Sequence, residues 1–221
     1  MSNIIDEQKA SSIEQLVLLI SGVPGSGKTT ISYELLKKYN EFRIIQETDL
    51  IREILRGYNE YLNERFNPLD EHGFKIVPDH RKMFNYSELK EQCKIMRNSI
   101  ENIIIRQQRK KIPSIINGIH IVPEVLNGIV HNNNVLYVNL YIDRQDILYK
   151  RWVNRDPIKY LPNISVTFET NLLLYESTRD LSEKYPFTFH NVNVSNSTIE
   201  QTVHEIVTFI RTSQHYDISL A

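Results

Sequence analysis

The sequence predicts an α/β fold in which about five parallel strands form one sheet, with helices on both faces and a helical lid. Short apolar runs alternate with longer segments that repeat apolar residues every three or four positions, which is typical of buried strands and amphipathic helices. At 221 residues and 26.0 kDa, the chain is long enough for one such domain. Its 41% hydrophobic and 24% charged residues are values of a globular protein.

The elements follow from the hydrophobic pattern in chain order. Strands are predicted at 16–20, 42–45, 114–119, 135–142 and 187–194. Helices are predicted at 29–39, 50–55, 87–111, 145–154, 168–184 and, after a capping-box pattern at 197–200, up to about residue 211. We expect Gly57 to end the second helix and Pro123 to open another after the third strand.

The chain is expected to form a single domain over residues 14–212, with a flexible N-terminus at 1–13 and a loose tail at 213–221. Residues 57–86 are the least regular part, with prolines and a glycine, and we interpret them as an insertion on the substrate side. Residues 143–165 follow the fourth strand and are expected to form the lid.

Composition excludes several classes of protein. The formal net charge of −1 gives no overall positive field to attract nucleic acid. The single cysteine, Cys93, cannot form an internal disulfide or a cysteine-rich zinc site. The longest apolar run, at 16–20, is far shorter than the ~20 residues that cross a bilayer. We therefore expect a cytoplasmic protein that does not associate with membranes.

Residues 22–29 read Gly-Val-Pro-Gly-Ser-Gly-Lys-Thr and match the phosphate-loop pattern G-x-x-x-x-G-K-[ST] at every fixed position. An apolar strand precedes them and a helical segment follows. The glycines allow backbone N–H groups to surround an anion, and the helix N-terminus adds partial positive charge. The pattern predicts a P-loop NTPase fold that binds ATP and Mg²⁺, with Lys28 on the β- and γ-phosphates and Thr29 as the metal ligand. The expected nucleotide-binding residues are Gly22, Pro24, Gly25, Ser26, Gly27, Lys28, Thr29 and Thr30.

A carboxylate and an arginine follow the second strand. Asp49 is expected at the sheet edge that carries the phosphate loop, where it can orient a substrate hydroxyl and take its proton. Arg52 lies one helical turn further on and suits an anionic group of the substrate. The alternative interpretation is structural: Asp49 would cap the helix, and Arg52 would be a solvated surface residue.

The third and fourth strands add further candidates. Asn117 stands where many phosphate-loop proteins carry an acidic residue associated with the metal, and His120 is expected either to contact substrate or to be a structural histidine. Arg151 and Arg155 are four residues apart on the predicted lid helix, so they share one face. Such arginines can close over a transferring phosphoryl group, although a solvated charged face would give the same pattern.

The assembled motifs resemble the phosphate-loop kinases related to 2-phosphoglycerate kinase. The matching pieces are GVPGSGKTT, TDLIREILR, IINGIHIVPE and RWVNR, which extend over most of the chain. The resemblance implies that Asp49 is the catalytic base and that Arg52 and His120 face the acceptor. It also implies that Lys28, Arg151 and Arg155 act on the phosphates. The expected reaction is transfer of the γ-phosphoryl group of ATP to a hydroxyl of a small, anionic molecule.

Two other functions remain open at this point. A polynucleotide 5′-kinase or a toxin-type nucleotide-sugar kinase would also combine a phosphate loop with an Asp-x-x-Arg segment, and the basic runs at 80–82 and 109–111 could contact nucleic acid. A nucleotide-binding module without phosphoryl transfer is the other alternative. GTPase recognition is not indicated, because the segment after the fourth strand reads Asp-Arg-Gln-Asp instead of Asn-Lys-x-Asp.

Overall fold

The computed structural model describes residues 14–66, 85–132 and 135–213, which form a five-stranded parallel sheet with helices on both faces. The strands are β1 (Val17–Ser21), β2 (Ile44–Glu47), β3 (Ser114–Asn117), β4 (Val135–Tyr141) and β5 (Phe189–Asn193). The helices are α1 (Lys28–Lys38), α2 (Thr48–Phe66), α3 (Tyr86–Arg109), α4 (Pro123–Asn132), α5 (Gln145–Val153), α6 (Pro157–Tyr160), α7 (Ile164–Lys184) and α8 (Ile199–Ser213), with a 3₁₀ turn at Leu161–Asn163.

The strand order is β2-β3-β1-β4-β5, so β1 lies at the centre of the sheet. Every residue of β1 is buried, because the strand is covered on both faces. Successive side chains alternate between two apolar cores: Leu18 and Ile20 pack on one face, and Val17 and Leu19 on the other. The loop that leaves the carboxyl end of β1 therefore starts from the most rigid part of the fold.

The two cores are closed by different helices. Helices α1, α5 and α8 contribute Leu35, Trp152 and Phe209 to the first core. Helices α3 and α4 contribute Met96 and Leu126 to the second. This arrangement confirms the predicted sheet with helices on both faces, and it brings the carboxyl ends of all five strands to one edge.

Most predicted elements are present, with their ends shifted by a few residues, but one predicted boundary is wrong. Helix α2 continues through Gly57 to Phe66, because an internal glycine weakens a helix without stopping it. The capping box of α8 is displaced by one residue from the predicted pattern. The Thr198 hydroxyl accepts from the Gln201 N–H at 3.2 Å, and the Gln201 side chain accepts from the Thr198 N–H at 2.8 Å.

Helix α6 has no counterpart among the predicted elements. Asp156 caps it by accepting from the Lys159 N–H at 3.1 Å, and Pro157 occupies its first position. The predicted N-terminal segment at 1–13, most of the tail and residues 67–84 of the predicted insertion lie outside the described residues. Among the described helices, none is both long and apolar enough to cross a bilayer.

Candidate active site

The phosphate loop joins β1 to α1 and has the backbone geometry that the motif predicts. Gly25 and Gly27 have φ angles of 88° and 93°, which residues with side chains rarely adopt. A Cβ on Gly25 would lie 2.6 Å from the indole nitrogen of Trp152, so only glycine fits there. No side chain caps the N-terminus of α1, whose first turn faces the cavity. The Ser26 hydroxyl is buried without a partner, as expected where an oxyanion would be bound.

Lys28 lies inside this loop. Its ammonium donates to the Val23 carbonyl at 2.9 Å. Burial lowers the pKa of Lys28 to about 8, while the carboxylates of Asp49 and Glu47 act in the opposite direction and the charge of Arg155 lowers it further. The charges of both carboxylates and of the Arg155 guanidinium therefore all act on the Lys28 ammonium. Asp49 follows β2 and Lys28 follows the loop after β1, so both lie at the carboxyl edge of the sheet.

A cavity of about 680 Å³ opens beside the loop, a size suited to a small-molecule ligand. Its wall combines the loop with the end of α5 and the segment that joins β5 to α8. The lining residues outside the loop and α1 are Arg151, Asn154, Arg155, Val194, Ser197, Ile199 and Thr202. Among the described residues that line the cavity, none is acidic. Its polar groups therefore suit a polyanion such as the phosphate chain of a nucleotide.

Helix α5 anchors the phosphate loop through two adjacent side chains. Arg151 donates to the Gly25 carbonyl at 3.1 Å and also to the Val194 carbonyl, and burial lowers the pKa of its guanidinium. Trp152 is fully buried and donates from its indole nitrogen to the Pro24 carbonyl at 2.9 Å. These contacts make Arg151 part of the loop's support as well as a wall of the cavity.

Asp49 lies in the first turn of α2 with its side chain 64% exposed. One carboxylate oxygen is 3.8 Å from Arg52 and 3.7 Å from the Nδ1 atom of His120. Arg52 also donates twice to Glu53, from Nε at 3.1 Å and from a terminal nitrogen at 2.7 Å. The buried guanidinium of Arg52 is thus engaged by carboxylates of its own helix.

His120 is fully buried behind the start of α2. Its Nδ1 atom is 2.9 Å from the Thr48 hydroxyl. Burial lowers the pKa of His120 to about 4; Asp49 opposes this effect, and the charges of Arg52 and Lys28 add to it. The imidazole is therefore neutral at neutral pH, and its approach to Asp49 is not an ion pair. His120 therefore contacts Thr48, the first residue of α2, from the interior of the protein.

Asn117 ends β3 and donates from its amide to the Ser32 hydroxyl at 2.9 Å, inside the protein. Its neighbour in register on β2 is Glu47, which the sequence pattern did not single out. The predicted second strand ends at 45, and only the observed strand shows that Glu47 lies at the carboxyl end of β2. With a bound nucleotide, the Thr29 hydroxyl would be a ligand of Mg²⁺, and Glu47 would be an outer carboxylate at the same edge of the sheet. Among the described residues, no group of three His, Cys, Asp or Glu side chains is arranged to hold a metal alone.

One predicted feature lies away from this site. The basic run at 109–111 ends α3 and precedes β3, so it lies at the amino edge of the sheet, opposite the phosphate loop. Lys111 pairs there with Glu14 at 3.0 Å. The other basic run, at 80–82, lies outside the described residues.

We compared the chain with known protein families, curated proteins and solved structures. Neither a family model nor a curated protein matches the chain. A gluconokinase from Sinorhizobium meliloti 1021 has a similar structure, with a TM-score of 0.51 and 14% sequence identity over 90% of this chain and 94% of that one. A shikimate kinase from Acinetobacter baumannii, solved in complex with shikimate, gives a TM-score of 0.49 and 15% identity over 89% and 93% of the two chains. The chain has a P-loop NTPase fold, of the type found in this gluconokinase.

Proposed function

We propose that the protein is an ATP-dependent kinase that transfers the γ-phosphoryl group to a hydroxyl of a small molecule. The single observation that carries the proposal is the position of Asp49: an exposed carboxylate in the first turn of α2, at the same sheet edge from which the phosphate loop leaves β1. A phosphoryl donor held by Lys28 and an alcohol held by Asp49 would meet at this point.

Each step of the proposed phosphoryl transfer is assigned to residues of this chain. The loop N–H groups and Lys28 hold the β- and γ-phosphates, and Arg155 adds positive charge at the cavity wall. Asp49 accepts the proton of the acceptor hydroxyl as its oxygen forms a bond to the γ-phosphorus. The bond from that phosphorus to the bridging oxygen breaks, and ADP leaves. When bound, Mg²⁺ would neutralise charge on the phosphates, held by Thr29 together with nearby carboxylates.

ATP is the proposed donor, and the chemistry of the cavity supports this choice. Guanine presents N–H donors that a carboxylate recognises well, and the described lining residues beyond the loop offer none. Ile199 and Val194 provide apolar contact for a base instead. We place the adenine between the end of α5 and the start of α8.

The proposed acceptor is a small, anionic molecule resembling 2-phosphoglycerate. The TDLIREILR and IINGIHIVPE segments support it through the family resemblance, and Arg52 supplies the cation. Since Arg52 is engaged by Glu53, an acceptor anion would have to replace that carboxylate. Glu53→Gln should therefore lower the KM for an anionic acceptor and leave that for a neutral polyol unchanged.

The test is ADP release with Mg-ATP and a panel of phosphorylated hydroxy acids, polyols and a 5′-hydroxyl oligonucleotide. Asp49→Asn should lower turnover about 10²- to 10⁴-fold. Asp180→Asn is the matched control, because Asp180 is 63% exposed and also pairs with an arginine, but on α7. Full activity of Asp49→Asn would exclude it as the base. Mg-ATP binding without turnover of any acceptor would favour a binding module, and transfer only to the oligonucleotide would favour a polynucleotide kinase.

A further inference from the structure

Tyr160, at the end of α6, lies against two cations and one aromatic ring. The Arg155 guanidinium carbon is 5.5 Å from the centre of its ring, and the Lys159 nitrogen is 5.3 Å from it. Its ring centre is 5.0 Å from that of Trp152, with the planes inclined by 37°. Tyr160 is only 8% exposed, so its position is fixed by the first core.

The ring of Tyr160 is connected to the phosphate loop through Trp152. Trp152 packs on Tyr160 and donates to the Pro24 carbonyl. Arg155 lines the cavity, and its charge lowers the pKa of Lys28. The guanidinium therefore lies between a fixed aromatic surface and the place where phosphates would bind.

The geometry of a guanidinium allows both contacts at once. An aromatic ring attracts the flat face of the group, whereas phosphate oxygens accept from the N–H donors in its plane. A ring that holds the face also restricts a long side chain, so less rotamer entropy is lost when a phosphate binds. Lys159 lacks such a face and presents a point charge instead.

We propose that Tyr160 is a positioning residue, whose ring orients Arg155 toward the phosphate chain of a bound nucleoside triphosphate. The proposal rests on the proposed function for the identity of the nucleotide, but it concerns binding and needs no acceptor. Trp152 packs on this ring and donates to the Pro24 carbonyl, which links the ring to the phosphate loop.

The experiment is a double-mutant cycle on Mg-ATP binding, measured by calorimetry without acceptor. Tyr160→Leu should weaken Mg-ATP about threefold to tenfold, since it keeps an apolar side chain but loses the ring. Tyr160→Phe keeps the ring and should stay within about twofold of the parent protein. In an Arg155→Ala background, Tyr160→Leu should have no further effect.

Two other results would overturn the proposal: equal losses in the Leu and Phe variants, or a Leu effect that persists without Arg155. If the Leu variant does not fold, Tyr160→Met takes its place in the same cycle. Lys159→Ala removes the other cation and is the control: it should leave the coupling between Tyr160 and Arg155 intact. The outcome is separable from that of the proposed function. Mg-ATP binding without turnover removes the kinase reaction only, and an uncoupled cycle in an active kinase removes the role of Tyr160 only.

Discussion

Glu47 and Asn117 are register partners at the carboxyl ends of β2 and β3, so an acidic residue stands one strand away from the expected position. The Asn117 amide donates a hydrogen bond to the Ser32 hydroxyl on α1. Glu47, in contrast, raises the pKa of Lys28 and therefore acts on the phosphate-binding lysine. Of these two register partners, Glu47 is therefore the one whose charge acts on the phosphate loop.

Glu47→Gln should raise the Mg²⁺ concentration needed for half-maximal activity roughly tenfold, because an outer carboxylate that orients metal-bound groups is lost. The measurement is a Mg²⁺ titration of ADP release at saturating ATP. Glu101→Gln, on α3, is the control and should behave as the parent protein. An unchanged Mg²⁺ requirement in Glu47→Gln would remove this residue from the metal's surroundings.

Lys28 makes nucleotide binding dependent on pH. Its pKa is about 8 without ligand, and bound phosphates favour the charged form and raise that value. Mg-ATP binding near pH 8.5 should therefore take up protons, and affinity should fall as the pH rises through about 8. Calorimetry in buffers of different ionisation enthalpy measures the uptake, which Lys28→Met should abolish. Proton release on binding would contradict the assignment.

His120 should make stability dependent on pH. Its pKa is about 4 in the folded protein and near 6.5 in the unfolded chain, so between these values the unfolded chain holds more protons. The free energy of unfolding should therefore fall as the pH falls from 6.5 toward 4, by up to about 1.4 kcal/mol per pH unit. Urea unfolding at several pH values measures this. His120→Gln should have the shallower dependence, and equal slopes would exclude the effect.

Gly118 permits the contact on which Thr48 depends. A Cβ on Gly118 would lie 1.7 Å from the Thr48 hydroxyl oxygen, so Gly118→Ala must displace the start of α2 and with it Asp49. We expect a loss of about 1–3 kcal/mol in the free energy of unfolding, together with reduced turnover. Gly57→Ala is the control, because a Cβ there meets nothing within 4 Å and alanine favours a helix. It should stabilise the protein by up to about 1 kcal/mol. A neutral Gly118→Ala would show that Thr48 can move without cost.

The sheet and the phosphate loop were predictable because their signals are local. A buried strand, a glycine-rich turn and a helix follow one another within residues 16–39, and backbone geometry at Gly25 and Gly27 follows from the motif. The ends of elements were less predictable. Gly57 lies inside a helix because its neighbours favour helix strongly enough to offset the cost of one glycine.

The contacts between distant segments were not predictable from periodicity. Trp152 reads as a packing residue, and only the fold shows that its indole also holds Pro24. Arg52 reads as a substrate cation, but its pairing with Glu53 depends on rotamers that the sequence does not specify. Glu47 was overlooked because its relation to Asn117 comes from strand register.

The bridge made by Arg151 has a practical consequence for engineering. Both of its acceptors, at Gly25 and Val194, are main-chain carbonyls, so the bridge does not depend on which side chain occupies position 194. Val194 and Thr202 are buried, whereas Ile199 is 42% exposed, so position 199 is the one to vary when nucleotide analogues with enlarged bases are tried at the proposed base site. A library restricted to this site should change base preference and leave both contacts of Arg151 in place.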